Sequence, residues 1–275
     1  AFKGFDNVDV EACTKRGIWV TVVPDLLTEP TAELGVALLL AVARRLREGD
    51  GLVRSGSFRG WRPILHGVGL SGRTVGLVGM GAVGQALAVR LAGFSCRLIY
   101  HDPQPLSPDR ERELQLARAG LPELLAQSDH VVLSVPLTPD TLGLIGDRVL
   151  GGMKPGACLV NIGRGSVVDE RAVAAALGSG RLGGYAADVF ASEDLSRPDR
   201  PERIPFELLA PELRTSFTPH LGSAVEETRL AISRSAARSI LEFLRGGAPS
   251  HAVNRPPSAL PGGASEVAPT TSRTD

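Results

Sequence analysis

The run Thr74-Val-Gly-Leu-Val78 leads without a polar break into Gly79-Met-Gly81-Ala82-Val83-Gly84, and the helical-looking Gln85-Ala-Leu-Ala88 follows at once. A buried strand, a Gly-x-Gly-x-x-Gly turn and a helix, in that order, restrict a chain to layered α/β folds. The pattern then repeats. Aliphatic runs stand at Arg97 to Tyr100, His130 to Val135, Ala157 to Ile162, Gly184 to Val189 and Thr215 to Thr218. They lack strict alternation, so they read as parallel strands covered on both faces. Helical segments separate most of them. One runs from Asp169 to Leu177, with Asp169 as its cap and Gly178 and Gly180 as terminators. The expected architecture is a doubly wound parallel sheet.

Composition excludes other classes. With 30 basic and 30 acidic side chains the net charge is zero, so no global field would hold nucleic acid or an anionic membrane. Three cysteines, Cys13, Cys96 and Cys158, lie far apart and suggest neither a metal site nor a disulfide framework. They fit reduced thiols in a cytoplasmic protein. The longest apolar run, Leu34 to Ala43, is far short of the roughly 18 residues a membrane span needs. The chain opens Ala-Phe-Lys-Gly-Phe-Asp-Asn with no Met, which leads us to expect sequence upstream of Ala1.

From Thr28 a polar start, an early Pro30 and the acidic Glu29 and Glu33 introduce a helix that is apolar on nearly every face. Such a helix is either central to a core or shared between subunits, and a homodimer interface is the expectation. Ser223-Ala-Val-Glu226 has capping-box spacing, and the helix it opens carries Val225, Ile232, Ala236, Ile240 and Phe243 before Gly246-Gly247. Past residue 252 the composition turns to Pro, Ser, Thr and Gly, and a disordered tail is expected over 253–275.

The glycine turn is suited to a dinucleotide. Gly79 makes the tight turn, Gly81 lets backbone approach a pyrophosphate, Gly84 allows close helix packing, and the amides of Ala82 and Val83 open the helix toward the phosphates. Eighteen residues after Gly84, at the end of the next strand, Asp102 is placed to accept hydrogen bonds from a ribose and to repel the extra phosphate of NADP, which argues for NAD. Ser134-Val135-Pro136 ends a further strand at the sheet's carboxyl edge, where ligands bind in such folds.

Three more motifs each follow a predicted strand: Asn161-Ile-Gly163-Arg164, Asp188-Val-Phe-Ala-Ser-Glu193, and Thr218-Pro-His220-Leu-Gly-Ser223. Singly, Arg164 reads equally as a surface ion-pair residue, Glu193 as a turn acid and His220 as a hydrogen-bonded histidine. Together, a cation for an anionic substrate and a histidine tuned by a carboxylate are what hydride transfer needs. In this order and spacing the motifs resemble the D-2-hydroxy-acid dehydrogenase family, from about Phe2 to Asn254. The resemblance implies a Rossmann NAD-binding domain over 27–221, with a dimerisation helix. It further implies a partial, flavodoxin-like substrate domain over 1–26 and 222–252. Arg164 would bind the substrate anion, Glu193 would pair with His220, and His220 would be the acid or base. Gly163, Asp188 and His220 join the glycine turn as cofactor-binding residues, and Ser223, Arg229 and Trp61 fall near the pocket.

Within that family a narrower resemblance, to the phosphonate (phosphite) dehydrogenases, rests on Lys3-Gly-Phe-Asp-Asn7, Val53-Arg-Ser-Gly56, Gly183-Gly-Tyr-Ala-Ala-Asp-Val-Phe190 and Asp199-Arg-Pro201. It implies that phosphite, the small anionic substrate, is held by Lys3 and Arg164 and oxidised to phosphate with NAD. The chain departs from that group at Ile162-Gly163, where Pro-Cys is expected, and at His66, where Tyr is expected. Two other functions fit the same family: a dehydrogenase of small 2-hydroxy carboxylates, and an NAD-sensing corepressor-like binding protein.

Overall fold

A computed structural model describes residues 4–23 and 25–257. Val10–Lys15 form α1, Thr28–Ala43 form α2 and Leu46–Arg54 form α3. The sheet strands are β1 (Thr74–Val78), β2 (Arg97–His101), β3 (Leu116–Arg118), β4 (His130–Leu133), β5 (Ala157–Asn161), β6 (Leu182–Ala187) and β7 (Thr215–Phe217). Between them lie α4 (Ala82–Leu91), α5 (Pro108–Leu114), α6 (Leu121–Gln127), α7 (Asp147–Gly152) and α8 (Glu170–Gly178), and α9 (Glu226–Leu244) follows. No helix among the described residues is long and apolar enough to cross a membrane.

Among the described residues all seven strands of the sheet are parallel, in the order β3-β2-β1-β4-β5-β6-β7. The chain winds outward from β1 through β2 to β3, returns beside β1 as β4, and winds outward on the other side. The crevice at the carboxyl ends of β1 and β4 is therefore the topological switch point, where open α/β sheets bind ligands. Successive strand residues face opposite layers, as the pleat requires. Val131 and Leu133 join one buried cluster and Val132 the other; Leu159 joins the first, Cys158 and Val160 the second.

Six of the seven strands stand where the sequence predicts them, with ends shifted by a few residues. The sequence reading misses β3, an edge strand of three residues that is too short to show a period. Helix α8 is capped as expected, the Asp169 side chain accepting from the amides of Arg171 and Ala172. In helix α2, Leu38, Leu39 and Val42 are buried in the same cluster as Leu77, Leu87 and Val160, so one face of this helix packs into the core.

Two compact units divide the chain: residues 24–233, which contain the whole sheet, and residues 1–23 with 234–275. The division falls inside α9. The smaller unit holds α1 and an antiparallel bridge between Thr21 and Ala252. In it the Val253 amide donates to Val20 O (2.9 Å), and Asn254 Oδ1 accepts from the Val20 amide (2.8 Å). These bonds order the start of the segment read as a tail from residue 253; its part from 258 on lies outside the described residues. The capping box is also corrected. Helix α9 starts at Glu226, and Ser223 sits before it in a turn closed by the Ala224 amide on Leu221 O (2.8 Å). Ile232 is buried, but Ile240 and Phe243 on the same helix are exposed.

Candidate active site

The glycine turn follows β1 directly. A Cβ on Gly84 would overlap the Gly79 carbonyl oxygen, so glycine is required for the first turn of α4 to close over the strand end. At Gly81, which precedes α4, a Cβ would meet nothing within 4 Å. That open side, with no side chain capping the helix amides, is the shape and chemistry a pyrophosphate requires. Asp102 Oδ2 accepts from the Met80 amide (2.7 Å) and Oδ1 from the Gln104 amide (2.9 Å), which holds the carboxylate against the turn. Ser134 Oγ donates to Gly79 O (3.0 Å), and Val135 is buried next to the same glycine. Pro136 O accepts from Thr141 Oγ1 (2.6 Å), which braces the loop after β4. The residues present thus fit a dinucleotide.

On the far side of the switch point the loops after β5, β6 and β7 meet. Asn161 is buried, donates from Nδ2 to Arg164 O (2.9 Å) and accepts at Oδ1 from the Gly163 amide (3.1 Å), so it sets the turn from which Arg164 projects. The turn 191–193 after β6 brings Glu193 Oε2 to 2.7 Å from His220 Nδ1. Glu193 Oε1 accepts from the Phe190 amide (2.7 Å), which fixes the carboxylate.

Burial pushes the Glu193 carboxyl up, but the bonds from His220 and the Phe190 amide outweigh it, and the group sits below its ordinary value. The Glu193 bond lifts His220 above the usual histidine value against the opposing pull of burial. The Arg164 charge acts on both groups, favouring the carboxylate and opposing the imidazolium. A cation, a histidine and its carboxylate therefore share one neighbourhood.

Asp188, read from the sequence as a cofactor residue, also braces the loop after β7. Its buried carboxylate accepts from Thr218 Oγ1 (2.6 Å), the Leu221 amide (2.6 Å) and the Gly222 amide (2.9 Å), while its carbonyl takes the His220 amide (2.9 Å). These bonds hold the loop that carries His220, whose backbone lies in the left-handed region (φ 56°). Such a conformation costs a non-glycine residue on the order of 1 kcal/mol or more, and the Asp188 bonds offset it.

Lys3 lies outside the described residues. Ser223 is half-buried and Arg229 exposed, with no hydrogen bond to His220 or Glu193 among the described residues. Trp61 is 86% exposed. Sequence reasoning missed Asp194, whose Oδ2 accepts from the Ser166 amide (2.7 Å), and Glu170, whose Oε1 accepts from the Ala191 amide (2.8 Å). Both tie the Arg164 side of the site to the Glu193 turn. Glu170 has the sequence signature of an ordinary acidic first-turn residue, and nothing in its neighbours signals burial.

The family model for the D-isomer specific 2-hydroxyacid dehydrogenase NAD binding domain matches residues 36–222. The chain belongs to the D-isomer specific 2-hydroxyacid dehydrogenase family. It is an NAD-dependent oxidoreductase of that family, and the matched segment contains the glycine turn, Arg164, Glu193 and His220. A glyoxylate reductase from Thermococcus litoralis is 42% identical over 257 residues, covering 92% of this chain and 75% of the relative. Among solved structures, the TT0316 protein from Thermus thermophilus superposes with a TM-score of 0.80 at 41% identity, over 92% of this chain and 77% of that one. The D-lactate dehydrogenase from Aquifex aeolicus, complexed with NAD and lactic acid, matches with a TM-score of 0.79 at 27% identity, over 89% and 75%.

Proposed function

We propose that this family member interconverts a small 2-oxo acid of the glyoxylate class and the corresponding 2-hydroxy acid. The observation that carries the reading is the 2.7 Å pair of His220 and Glu193 within the field of Arg164, at the carboxyl edge of a sheet whose glycine turn fits a dinucleotide. The name of the Thermococcus litoralis relative supports the substrate class. When bound, the nicotinamide supplies the hydride in reduction and accepts it in oxidation. Arg164 holds the substrate carboxylate by charge-assisted hydrogen bonds. His220, its Nδ1 committed to Glu193, uses Nε2 to give a proton to the carbonyl oxygen as C2 becomes a carbinol, and to take it back in the reverse direction. Glu193 keeps the ring oriented and favours the imidazolium. Asp102 would hold the adenosine ribose, and the amides of Ala82 and Val83 would hold the pyrophosphate.

A second reading keeps the same machinery for phosphite, and what favours it is the Lys3-Gly-Phe-Asp-Asn7 segment. There Arg164 holds the oxyanion by charge-assisted hydrogen bonds. An oxygen–phosphorus bond forms as hydride leaves phosphorus, and His220 takes the proton of the attacking water. Following NADH at 340 nm separates the two. NADH consumption with glyoxylate and none formed with phosphite supports the first; NADH formation with phosphite alone overturns it.

The reading includes a homodimer in the reducing setting of the cytoplasm. Its support is the row of exposed apolar side chains just past α2, Leu46, Val53, Phe58 and Trp61, together with three free cysteines. A single monomeric species in analytical ultracentrifugation would refute the dimer.

A further inference from the structure

Glu170, the first residue of α8, is only 5% exposed, a rare state for a carboxylate. One oxygen is used: Oε1 accepts from the Ala191 amide at 2.8 Å. The other, Oε2, is buried with no hydrogen-bond partner among the described residues, as is the nearby Ser166 hydroxyl. Both side chains line a shallow hollow of about 430 Å³ together with Ala191 and Arg197. Ala191 opens the short turn that ends in Glu193, and the preceding amide, that of Phe190, is held by Glu193 itself. The same turn is clamped from the other side. Asp194 takes the Ser166 amide, and the backbone of Phe190 and Ala191 presses so closely on Gly165 that any Cβ there would overlap it.

We propose that Glu170 is a positioning residue for the acid–base pair: by holding the Ala191 amide it sets the turn that carries Glu193 to His220. This inference rests on the assignment of His220 and Glu193 as that pair. Glu170 acts through the turn, by way of its bond to the Ala191 amide.

The carboxyl also responds to pH. Burial, with the charges of Asp194, Glu193 and Asp169 added, pushes it up to about 7 against the pull of the Ala191 amide. Acting on it are the cap residue Asp169, Glu193 and Asp194 on the turn and Tyr185 on β6, and Arg171, Arg197 and Asp199 line the same hollow. Protonation gives the unpartnered Oε2 a hydrogen to donate while Oε1 keeps the Ala191 amide.

The test follows the His220 ring by NMR titration on the full chain, with steady-state kinetics alongside. Four proteins are compared: wild type, Glu170→Gln, Glu170→Ala and Glu193→Gln. Glu170→Gln keeps an oxygen on the Ala191 amide, so it keeps the wild-type His220 midpoint and retains kcat within about twofold. Glu170→Ala lowers the His220 midpoint toward the ordinary histidine value and reduces kcat about tenfold or more, while KM for NADH is unchanged. Glu170→Gln restores kcat relative to Ala, which a role in bulk packing alone would not require.

A Glu170→Ala protein with wild-type His220 midpoint and kcat overturns the proposal. If that variant does not fold, Glu170→Met, which keeps the bulk and removes the acceptor for the Ala191 amide, decides alone, and a wild-type His220 midpoint and kcat in it overturn the proposal. Glu193→Gln tests the underlying assignment separately: if it leaves both the His220 midpoint and kcat untouched, the acid–base reading fails whatever Glu170 does.

Discussion

His220 Nδ1 and Glu193 Oε2 lie 2.7 Å apart, although 27 residues separate them in the chain and each stands on the loop after a different strand. The contact makes each group favour the other's charged form. The pair is ionic between the lowered value of Glu193 and the raised value of His220.

Reduction of a 2-oxo acid uses the imidazolium, so kcat/KM in that direction is expected to fall as pH rises through the raised His220 value. Oxidation, which uses the neutral ring, is expected to rise over the same range. Glu193→Gln removes the charge that lifts His220, and both limbs move to lower pH with a loss of about 10²-fold in kcat. Initial rates across pH in both directions check this. Unmoved limbs in the variant would show that the carboxylate does not tune the ring.

Arg164 presents a planar, permanently charged fork that a lysine cannot imitate. Arg164→Lys is expected to raise KM for the 2-oxo acid about tenfold and Arg164→Ala about 100-fold, as follows from charged hydrogen bonds worth about 1.5–3 kcal/mol. NADH binding, measured by fluorescence quenching, stays near wild type in both. Equal weakening of substrate and cofactor would assign the guanidinium to the cofactor side instead.

Asp102 combines a charge with a structural bond to the Met80 amide. Asp102→Asn keeps an acceptor for that amide and removes the charge, so the ratio of kcat/KM for NADP over NAD is expected to rise about tenfold or more. Asp102→Ala relaxes the same discrimination and also loosens the glycine turn, which weakens both cofactors. A ratio that stays constant across the series would mean that Asp102 does not face the ribose.

Glu170 also leaves a mark on stability. Its value in the folded protein, about 7, lies above the 4.5 of an ordinary glutamate. Between those two values the native state binds more protons than the unfolded chain, so stability from this group is complete at the acidic end and is lost as pH rises toward and through 7. Glu170→Gln mimics the protonated form at every pH. It is expected to unfold at higher urea than wild type above about pH 7, by up to about 3 kcal/mol, and to match it near about pH 4.5. A difference between the two proteins that is constant with pH would contradict the raised value.

Local chemistry explains what could be read without coordinates. Thr74–Val78 with its glycine turn, the Asp169 cap and the apolar α2 each depend on neighbours within a few residues, and the structure places all three where their residues indicate. The convergence of Arg164, Glu193 and His220 was legible because each follows a strand of one parallel sheet, whose carboxyl ends must meet at one edge. What the tertiary structure alone decided is the environment of each charge. Asp188 became the brace of the His220 loop, Ser223 stayed outside the helix it was expected to cap, and Glu170 became a buried acid under the Glu193 turn. Burial and desolvation come from segments distant in sequence packing over a side chain, and no local pattern encodes how much water that packing removes.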